Sequence, residues 1–257
     1  MKKFLQITGL LTIIALIAIS CNKITTIDQA TAKDSHLGEY ATSDVLLFSN
    51  GETDGGKTQG YDTTCMTSTI IQNNDGTITK TLNFNNCNIG DGVTRNGIIK
   101  ITFTPGWKRN LKTPAIVEFE NFSRGNEGIL NGKHILKFTS LAPITLEVVA
   151  DNMSITFENN EQHKWSGTRT IQWLKGFETP RYYKDDSLKV NYSLEGYNRN
   201  GEKFTNTGTD LIYSNCDGKL KVTAGTMIIK NLDKNKTLTV EFNGCSEYTI
   251  NGIRINQ

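Results

Sequence analysis

The sequence lacks the short motifs by which the common classes of enzyme are recognised. It contains no G-x-S-x-G nucleophile motif, no H-E-x-x-H zinc motif, no P-loop and no dinucleotide-binding fingerprint. The three histidines, His36, His134 and His163, lie far apart along the chain. We therefore predict no catalytic residue, no metal and no cofactor from the local sequence.

An excess of charge of either sign is also lacking. The chain has 28 Lys and Arg residues against 26 Asp and Glu residues. Removal of the N-terminal segment described next takes away Lys2 and Lys3, which leaves the mature chain with a formal charge of zero. A protein that binds nucleic acid usually carries a clear excess of basic residues. We therefore predict no nucleic-acid partner.

No apolar run reaches the length of about 18 apolar residues that a membrane-spanning helix requires. The best candidate, residues 10–19, is interrupted by Thr12 and follows the basic residues Lys2 and Lys3. A basic start, a short apolar stretch and small residues before a cleavage site are typical of a secretory signal peptide. We therefore predict that residues 1–20 direct export and are removed.

The cleavage region Ala18-Ile19-Ser20-Cys21 resembles the lipobox of bacterial lipoproteins. In that motif a small residue precedes an invariant cysteine, which becomes the lipidated first residue of the mature protein. Ile19 and Ser20 match the motif, whereas Ala18 stands where leucine is most common, and the same residues also suit ordinary signal peptidase. The resemblance implies a lipidated Cys21, whose acyl chains contribute about 0.8 kcal/mol of membrane binding for each buried methylene.

The cysteine count agrees with a lipidated Cys21, because acylation of one of five cysteines leaves four that can pair. Cys65 and Cys87 flank a predicted turn midway between them, so we expect them to face each other across one hairpin. Cys216 and Cys245 flank a predicted turn at residues 231–236, with a small offset in register that a β-bulge would absorb. The crossed pairing, Cys65 with Cys245 and Cys87 with Cys216, stays open. The spacings do not suit a zinc site.

Residues 21–40 are predicted to be the lipidated cysteine and a flexible tether, and residues 41–257 a single β domain. The chain resembles lipoproteins of the Bacteroidetes type in its composition, which is rich in Asn, Lys and Thr. In those proteins an acidic cluster after the cysteine can direct export to the cell surface, and no such cluster follows Cys21. We therefore expect an outer-membrane lipoprotein that faces the periplasm rather than the surface.

Apolar and polar residues alternate with a period of two in most segments after Thr63. Leu82 and Phe84 form one such pair, and Val117 and Phe119 form another, each with a polar residue between them. This alternation is the mark of strands with one buried face. No segment in this region keeps the helical period over three turns, so the sequence predicts an all-β, antiparallel fold.

Pairs of a small residue and glycine recur at intervals of about 35 residues. They are Asn96-Gly97, Asn131-Gly132, Ser166-Gly167 and Asn200-Gly201. Because Asn-Gly is favoured in two-residue hairpin turns, we assign these pairs to turns and predict a repeating unit of two strands. The result is a meander of about 10–13 strands that curves into an open barrel or half-barrel. A two-sheet β-sandwich is the alternative.

The most distinctive side chains lie in residues 163–173. If this segment is one strand, then Trp165, Arg169 and Trp173 share a face with Gly167 and Ile171. A guanidinium group that stacks on aromatic rings gains about 0.5–2 kcal/mol. The functional interpretation is a platform for a sugar ring or an extended peptide. The structural interpretation, which we favour, is a core strand whose arginine meets a carboxylate.

This segment and the turn after it also carry a family resemblance. The strand Gly167-Thr168-Arg169-Thr170 and the turn Gly176-Phe177-Glu178-Thr179-Pro180 resemble motifs of uncharacterised β-rich lipoproteins of Bacteroidetes. The resemblance covers residues 60–257 and implies the architecture, but it implies no known activity.

Trp107 lies in a basic, turn-rich loop beside Lys108, Arg109 and Lys112. A tryptophan in such a loop is placed to contact a glycan, an acidic surface or a lipid head group. The more common role of such a residue is to cap the edge of a sheet. We therefore retain Trp107, with Trp165, Arg169 and Trp173, as a weak ligand-binding candidate.

The function that fits these observations is a non-enzymatic binding or scaffold role at the cell envelope. We expect a membrane contact through the N-terminal lipid and a glycan, lipid or envelope protein bound to the curved sheet. The alternative is a glycoside hydrolase that uses two carboxylates, drawn from Glu118, Glu120, Glu158, Asp185 and Asp186. Thr63 and Ser187 also match the short acceptor pattern of Bacteroidetes-type O-glycosylation.

Overall fold

The structure is a computed structural model that describes residues 34, 64–89, 92–107, 111, 113–179, 185–216, 219–245 and 247–256. The predictions for the signal peptide, Cys21 and Thr63 lie outside these residues. So does the predicted tether, apart from Asp34. In the described part of the chain, no helix is long and apolar enough to cross a membrane.

The described residues form thirteen strands. They are β1 (Met66–Gln72), β2 (Ile78–Asn88), β3 (Thr94–Phe103), β4 (Pro114–Arg124), β5 (Ile129–Leu141), β6 (Ile144–Thr156), β7 (Gln162–Lys175), β8 (Ser187–Tyr197), β9 (Lys203–Cys216), β10 (Lys219–Asn231), β11 (Lys236–Asn243), β12 (Glu247–Ile250) and β13 (Ile253–Asn256).

All thirteen strands belong to one sheet, in which each strand pairs with its neighbours in chain order. Every pairing is antiparallel. β1 and β13 are the two edges of this sheet, and no pairing joins them in the described structure. The prediction of an all-β antiparallel meander in an open sheet is therefore confirmed, and the described strands do not divide into the two sheets of a sandwich.

One face of the sheet is buried from β2 to β9, and we call it the inner face. The strand register brings its side chains into rows: Ile101 lies opposite Val117, Val117 opposite His134, and His134 opposite Ala150. The buried apolar side chains form one large cluster, from Leu82 on β2 to Leu211 on β9, and a small separate cluster of Ile229, Leu238 and Val240 on β10 and β11. Burial of each large apolar side chain contributes about 1.5–3 kcal/mol, so this face is the main source of stability.

Three of the four small-residue–glycine pairs that we assigned to hairpin turns lie inside strands, so that assignment is wrong. Asn96-Gly97 lies in β3, Asn131-Gly132 in β5 and Ser166-Gly167 in β7. Asn200-Gly201 does lie in a turn, between β8 and β9. The interval of about 35 residues is nevertheless real, because it measures the distance from one pair of strands to the next.

The three misassigned pairs flank β-bulges in the neighbouring strands. The bulge of β4, for example, is centred on Asn121, whose φ of 48° is left-handed. The backbone N–H of Asn121 donates a hydrogen bond to Oδ1 of Asn131 on β5 at 3.0 Å. Gly97 on β3 leaves room for the Asn121 carbonyl, because a Cβ atom at Gly97 would collide with that oxygen. Asn-Gly suits this site because bulges, like hairpin turns, require positive φ and close backbone approach.

The four described cysteines form the two predicted disulfides, Cys65–Cys87 and Cys216–Cys245. The first closes the hairpin of β1 and β2 as expected. The second has a different geometry from the one predicted, because Cys216 ends β9 and Cys245 follows β11. This bond therefore joins two strands that β10 separates, rather than the two strands of one hairpin.

Candidate functional site

The strand β7 presents its distinctive residues to the inner face, as the sequence predicted. Trp165, Arg169 and Ile171 are buried, and Trp173 is half-buried against the same apolar cluster. The alternating residues Lys164, Thr168 and Thr170 are exposed. Trp165 and Arg169 have exposed fractions of 4% and 6%, so these side chains contribute to the core rather than to an open platform.

Arg169 belongs to a group of polar side chains at the centre of the inner face, which we call the central polar cluster: His134, Arg169, Tyr192 and Asn206. The Arg169 guanidinium carbon lies 5.3 Å from the centre of the Tyr192 ring. The Tyr192 hydroxyl donates a hydrogen bond to Oδ1 of Asn206 at 3.3 Å. The cluster therefore extends across the inner face from β5 to β9.

His134 completes the central polar cluster as a neutral side chain. Burial, with a contribution from the positive charge of Arg169, lowers the pKa of His134 to about 3. Its ring meets the Phe119 ring edge-on, with 5.6 Å between the ring centres. Neither Nδ1 of His134 nor Nδ2 of Asn206 has a hydrogen-bond partner among the described residues. A buried polar group without a hydrogen-bond partner lowers the free energy of unfolding, so these two atoms make the central polar cluster the less stable part of the core.

A second buried histidine, His163, lies on β7 next to Trp165. The His163 ring stacks on Phe204, with 4.9 Å between the ring centres, and lies 5.3 Å from Trp165. Burial lowers the pKa of His163 to about 3, and the charge of Arg199 acts in the same direction. Both described histidines are therefore neutral near pH 7 and pack as aromatic core residues.

Trp107 and Trp173, which are 66 positions apart in the chain, meet at one end of the strands through two phenylalanines. Trp107 lies 5.1 Å from Phe138, Phe138 lies 6.3 Å from Phe177, and Phe177 lies 5.4 Å from Trp173, measured between ring centres. We call this group the aromatic end. Trp107 has an exposed fraction of 4%, so it packs inward and does not project from its loop.

The carboxylates considered for a hydrolase are spread over the molecule. Glu118 and Glu120 lie on the outer face of β4, where Glu118 is opposite Lys100 and Lys133. Glu158 is exposed in the turn between β6 and β7. Asp185 and Asp186 precede β8, at the other end of β7. A strand of 14 residues spans about 45 Å, so Glu158 cannot act together with Asp185 or Asp186.

The surroundings of the Asp186 carboxyl group shift its pKa. Its side chain packs on Gly176, where a Cβ atom would collide with the carboxylate. Burial, with a contribution from the neighbouring charge of Asp185, raises the pKa of Asp186 to about 7. Asp185 accepts a hydrogen bond from Oγ1 of Thr179 at 2.8 Å. Ser187, the O-glycosylation candidate, is half-buried at the start of β8, with its hydroxyl 3.5 Å from that of Ser214.

One residue of the predicted tether is described, and it contacts the sheet. Asp34 is fully buried, and both of its carboxylate oxygens bind the guanidinium group of Arg199, with Nε 2.8 Å from Oδ2. The same guanidinium lies 3.9 Å from the centre of the Phe157 ring. Position 34 is therefore fixed to the turn between β8 and β9. No sequence pattern predicted this ion pair, because 165 positions separate its members.

No motif in the sequence marks His134, Tyr192 and Asn206 as members of one cluster. The available signal was a polar residue at a position where alternation requires an apolar one, as in Phe204-Thr205-Asn206. No group of three or more His, Cys, Asp or Glu side chains within the described ranges is arranged to hold a metal ion. Comparison of the chain with protein-family models, curated proteins and solved structures finds no match.

Proposed function

We propose that this chain is a lipid-anchored protein of the bacterial cell envelope with a non-enzymatic binding or scaffold role. The observation that carries the proposal is the disulfide pattern. Cys65 pairs with Cys87 and Cys216 with Cys245, which leaves Cys21 as the fifth cysteine of the sequence. An odd cysteine in an exported protein requires a separate role, and acylation at the lipobox-like site supplies one.

The same disulfides support the compartment. Disulfides persist in oxidising compartments such as the bacterial periplasm and are rare in the reducing cytosol. The signal-like segment before Cys21 agrees with this location. We place the protein at the outer membrane, on the periplasmic side, because the residues after Cys21 lack an acidic export cluster.

A non-enzymatic role is supported by the way in which the polar residues are used. Arg169, Trp165 and Trp107 are packed into the inner face, and both histidines there are neutral core residues. The outer face carries ion pairs between neighbouring strands, such as Lys133–Asp151 and Lys137–Glu147. Such an inner face stabilises the sheet, so we assign recognition of a glycan, lipid or protein partner to the exposed surface and the sheet edges.

The anchor is tested by mass spectrometry of the mature N-terminus, together with fractionation of cells that express the protein. We expect an acylated Cys21 and a membrane-bound protein, whereas Cys21→Ser should abolish processing at this site and the acyl modification. The matched control, a Cys65→Ser/Cys87→Ser double variant, should keep the acylated N-terminus although it loses a disulfide. An unmodified N-terminal Cys21 in the wild-type protein would refute the anchor.

A hydrolase remains the second candidate because of one observation, the raised pKa of Asp186 beside Asp185. A carboxyl group that keeps its proton near pH 7 is suited to act as a general acid. We expect no polysaccharide hydrolysis by the purified protein. Hydrolysis that Asp186→Asn abolishes, and that Glu158→Gln leaves intact, would replace the binding role with the enzymatic one.

A further inference from the structure

The strand β1 is an edge of the sheet without the usual protection against pairing. Among the described strands it pairs only with β2, and the register is regular over all seven residues, without a bulge. Its sequence, Met66-Thr-Ser-Thr-Ile-Ile-Gln72, contains no charged residue and no proline. Natural edge strands are usually blocked by lysine, proline, a bulge or a covering element. The described chain places no strand against the open side of β1.

Both faces of β1 carry exposed apolar surface near its C-terminal end. Ile70 and Ile71 have exposed fractions of 41% and 58%. Because neighbouring residues of a strand point to opposite faces, one isoleucine lies on each side of the sheet edge. A strand added to this edge would therefore cover apolar surface on both faces at once.

The edge is held rigidly in its extended conformation. The Cys65–Cys87 disulfide fixes the N-terminal end of β1 to β2. At the other end, Nδ2 of Asn73 donates hydrogen bonds to Oγ1 of Thr77 at 2.8 Å and to Oγ1 of Thr79 at 2.9 Å. A strand ordered before binding loses little conformational entropy when a partner pairs with it.

We propose that β1 pairs antiparallel with β1 of a second copy of this chain, across a two-fold axis. The argument for a second copy is self-complementarity. A two-fold axis at Thr69 places Ser68 opposite Ile70 and Thr67 opposite Ile71, so no like charges meet. The opposite edge is less suited to this pairing, because β13 is four residues long and contains Arg254.

This interface would join two sheets into one continuous sheet of 26 described strands, 13 from each copy. The backbone hydrogen bonds of β1 supply the pairing, and the isoleucines on both faces supply apolar contact. The inference gives the proposed scaffold role a partner. It does not depend on the lipid anchor, because the edge is formed by residues 66–72 alone.

The test uses the purified full-length protein in mild detergent, with its molar mass measured by light scattering over a range of concentrations. The wild-type protein should be a dimer. Ile70→Lys/Ile71→Lys should raise the dissociation constant at least tenfold, because like charges then lie close together at the paired edges. The matched control is Ile129→Lys, since Ile129 is 44% exposed but lies in β5 between two paired strands.

A second readout locates the interface independently of the lysine variants. Thr69→Cys should form an intermolecular disulfide on mild oxidation, whereas Thr170→Cys, which places a thiol at an exposed position of β7, should not. Each variant is first compared with the wild type by circular dichroism, so that a folding defect is recognised. A wild-type monomer at all concentrations would overturn the proposal, as would a dimer that both lysines leave unchanged. A one-to-one complex with a different protein at this edge would also overturn it.

Discussion

The bulges of β4, β6 and β9 each combine a capping side chain with a closely packed glycine. The bulge of β9 takes these two residues from the opposite neighbouring strands. In β4 and β6, the strand before the bulge supplies a close glycine and the strand after it supplies the capping side chain. For Asn152 on β6, these are Gly132 and Ser166. For Asp210 on β9, the cap is Asn191 on the preceding strand and the glycine is Gly225 on the following one.

The difference teaches which requirements of a bulge are fixed and which are free. Each bulge has a residue with a φ of about 50°, a capped backbone N–H and a glycine that permits close approach. The side from which the cap and the glycine come is free. The strands that supply the cap and the glycine exchange roles between β7 and β8. After β8, Asn200-Gly201 lies in a turn instead of a strand.

The largest effect is expected from a substitution at a glycine that faces a bulge. In Gly132→Ala, the new Cβ atom would lie 2.7 Å from the Asn152 carbonyl oxygen and from Met153 Cα, both of which are backbone atoms. We expect a loss of about 3 kcal/mol or more in the free energy of unfolding, measured by urea denaturation.

The matched control for Gly132 is Gly201→Ala in the β8–β9 turn. Gly201 also has a positive φ, of 74°, but a Cβ atom there would meet nothing within 4 Å. It should lose only about 1 kcal/mol, from backbone strain alone. Equal losses in the two variants would mean that close approach at the bulge contributes nothing.

A smaller effect is expected from removal of a bulge cap. Asn131→Ala removes the acceptor for the Asn121 N–H and should cost about 1–2 kcal/mol. Asn200→Ala, in the turn, serves as the comparison and should cost under about 0.5 kcal/mol. Both are measured by urea denaturation, and an Asn131 variant as stable as the Asn200 variant would contradict the role of the cap.

The smallest effect concerns Asp186, in the loop that separates the two bulge arrangements. Its pKa is about 7 in the folded protein against 3.8 for the unperturbed group, so the folded state holds this proton more tightly. Stability should therefore fall as the pH rises from about 4 to about 7. Asp186→Asn should remove this loss and gain on the order of 1 kcal/mol at high pH, after allowance for solvent screening.

Thermal unfolding of the Asp186 variant at a series of pH values checks the sign. The gain should be present above about pH 7 and absent below about pH 4. Glu158→Gln, which replaces an exposed carboxylate in the β6–β7 turn, is the control and should follow the wild type throughout. A gain that is independent of pH would show that the carboxyl proton is not its source.

Much of the fold could be predicted from the sequence because alternation is a local signal. Leu82, Phe84, Val117 and Phe119, which defined the pattern, are all buried on the inner face. The Cys65–Cys87 pair followed from the hairpin spacing, whereas the Cys216–Cys245 bond spans β10 and does not close a single hairpin. The small-residue–glycine pairs beside the bulges were assigned to hairpin turns, because bulges and hairpin turns both require positive φ and favour Asn-Gly. The two kinds of site differ only in whether a neighbouring strand lies alongside. That information lies about 35 residues away in the chain.

The central polar cluster and the Asp34–Arg199 ion pair could not be predicted for a related reason. Arg169, Tyr192 and Asn206 come from three successive strands, and the register that brings them together depends on bulges whose positions the sequence did not reveal. Trp107 was expected either to cap the edge of a sheet or, less commonly, to contact a ligand from its basic loop. Its indole is instead drawn inward by Phe103 and Phe138, with ring centres at 6.0 and 5.1 Å.

In a lipid-anchored protein, the contact between Asp34 and Arg199 limits the distance between the membrane and the β8–β9 turn. Thirteen positions separate Asp34 from Cys21, and a fully extended chain of that length reaches about 45 Å. The β8–β9 turn would then stay within that distance of the bilayer surface. The aromatic end, about 45 Å further along the strands, would be free to point away from the membrane into the surrounding space.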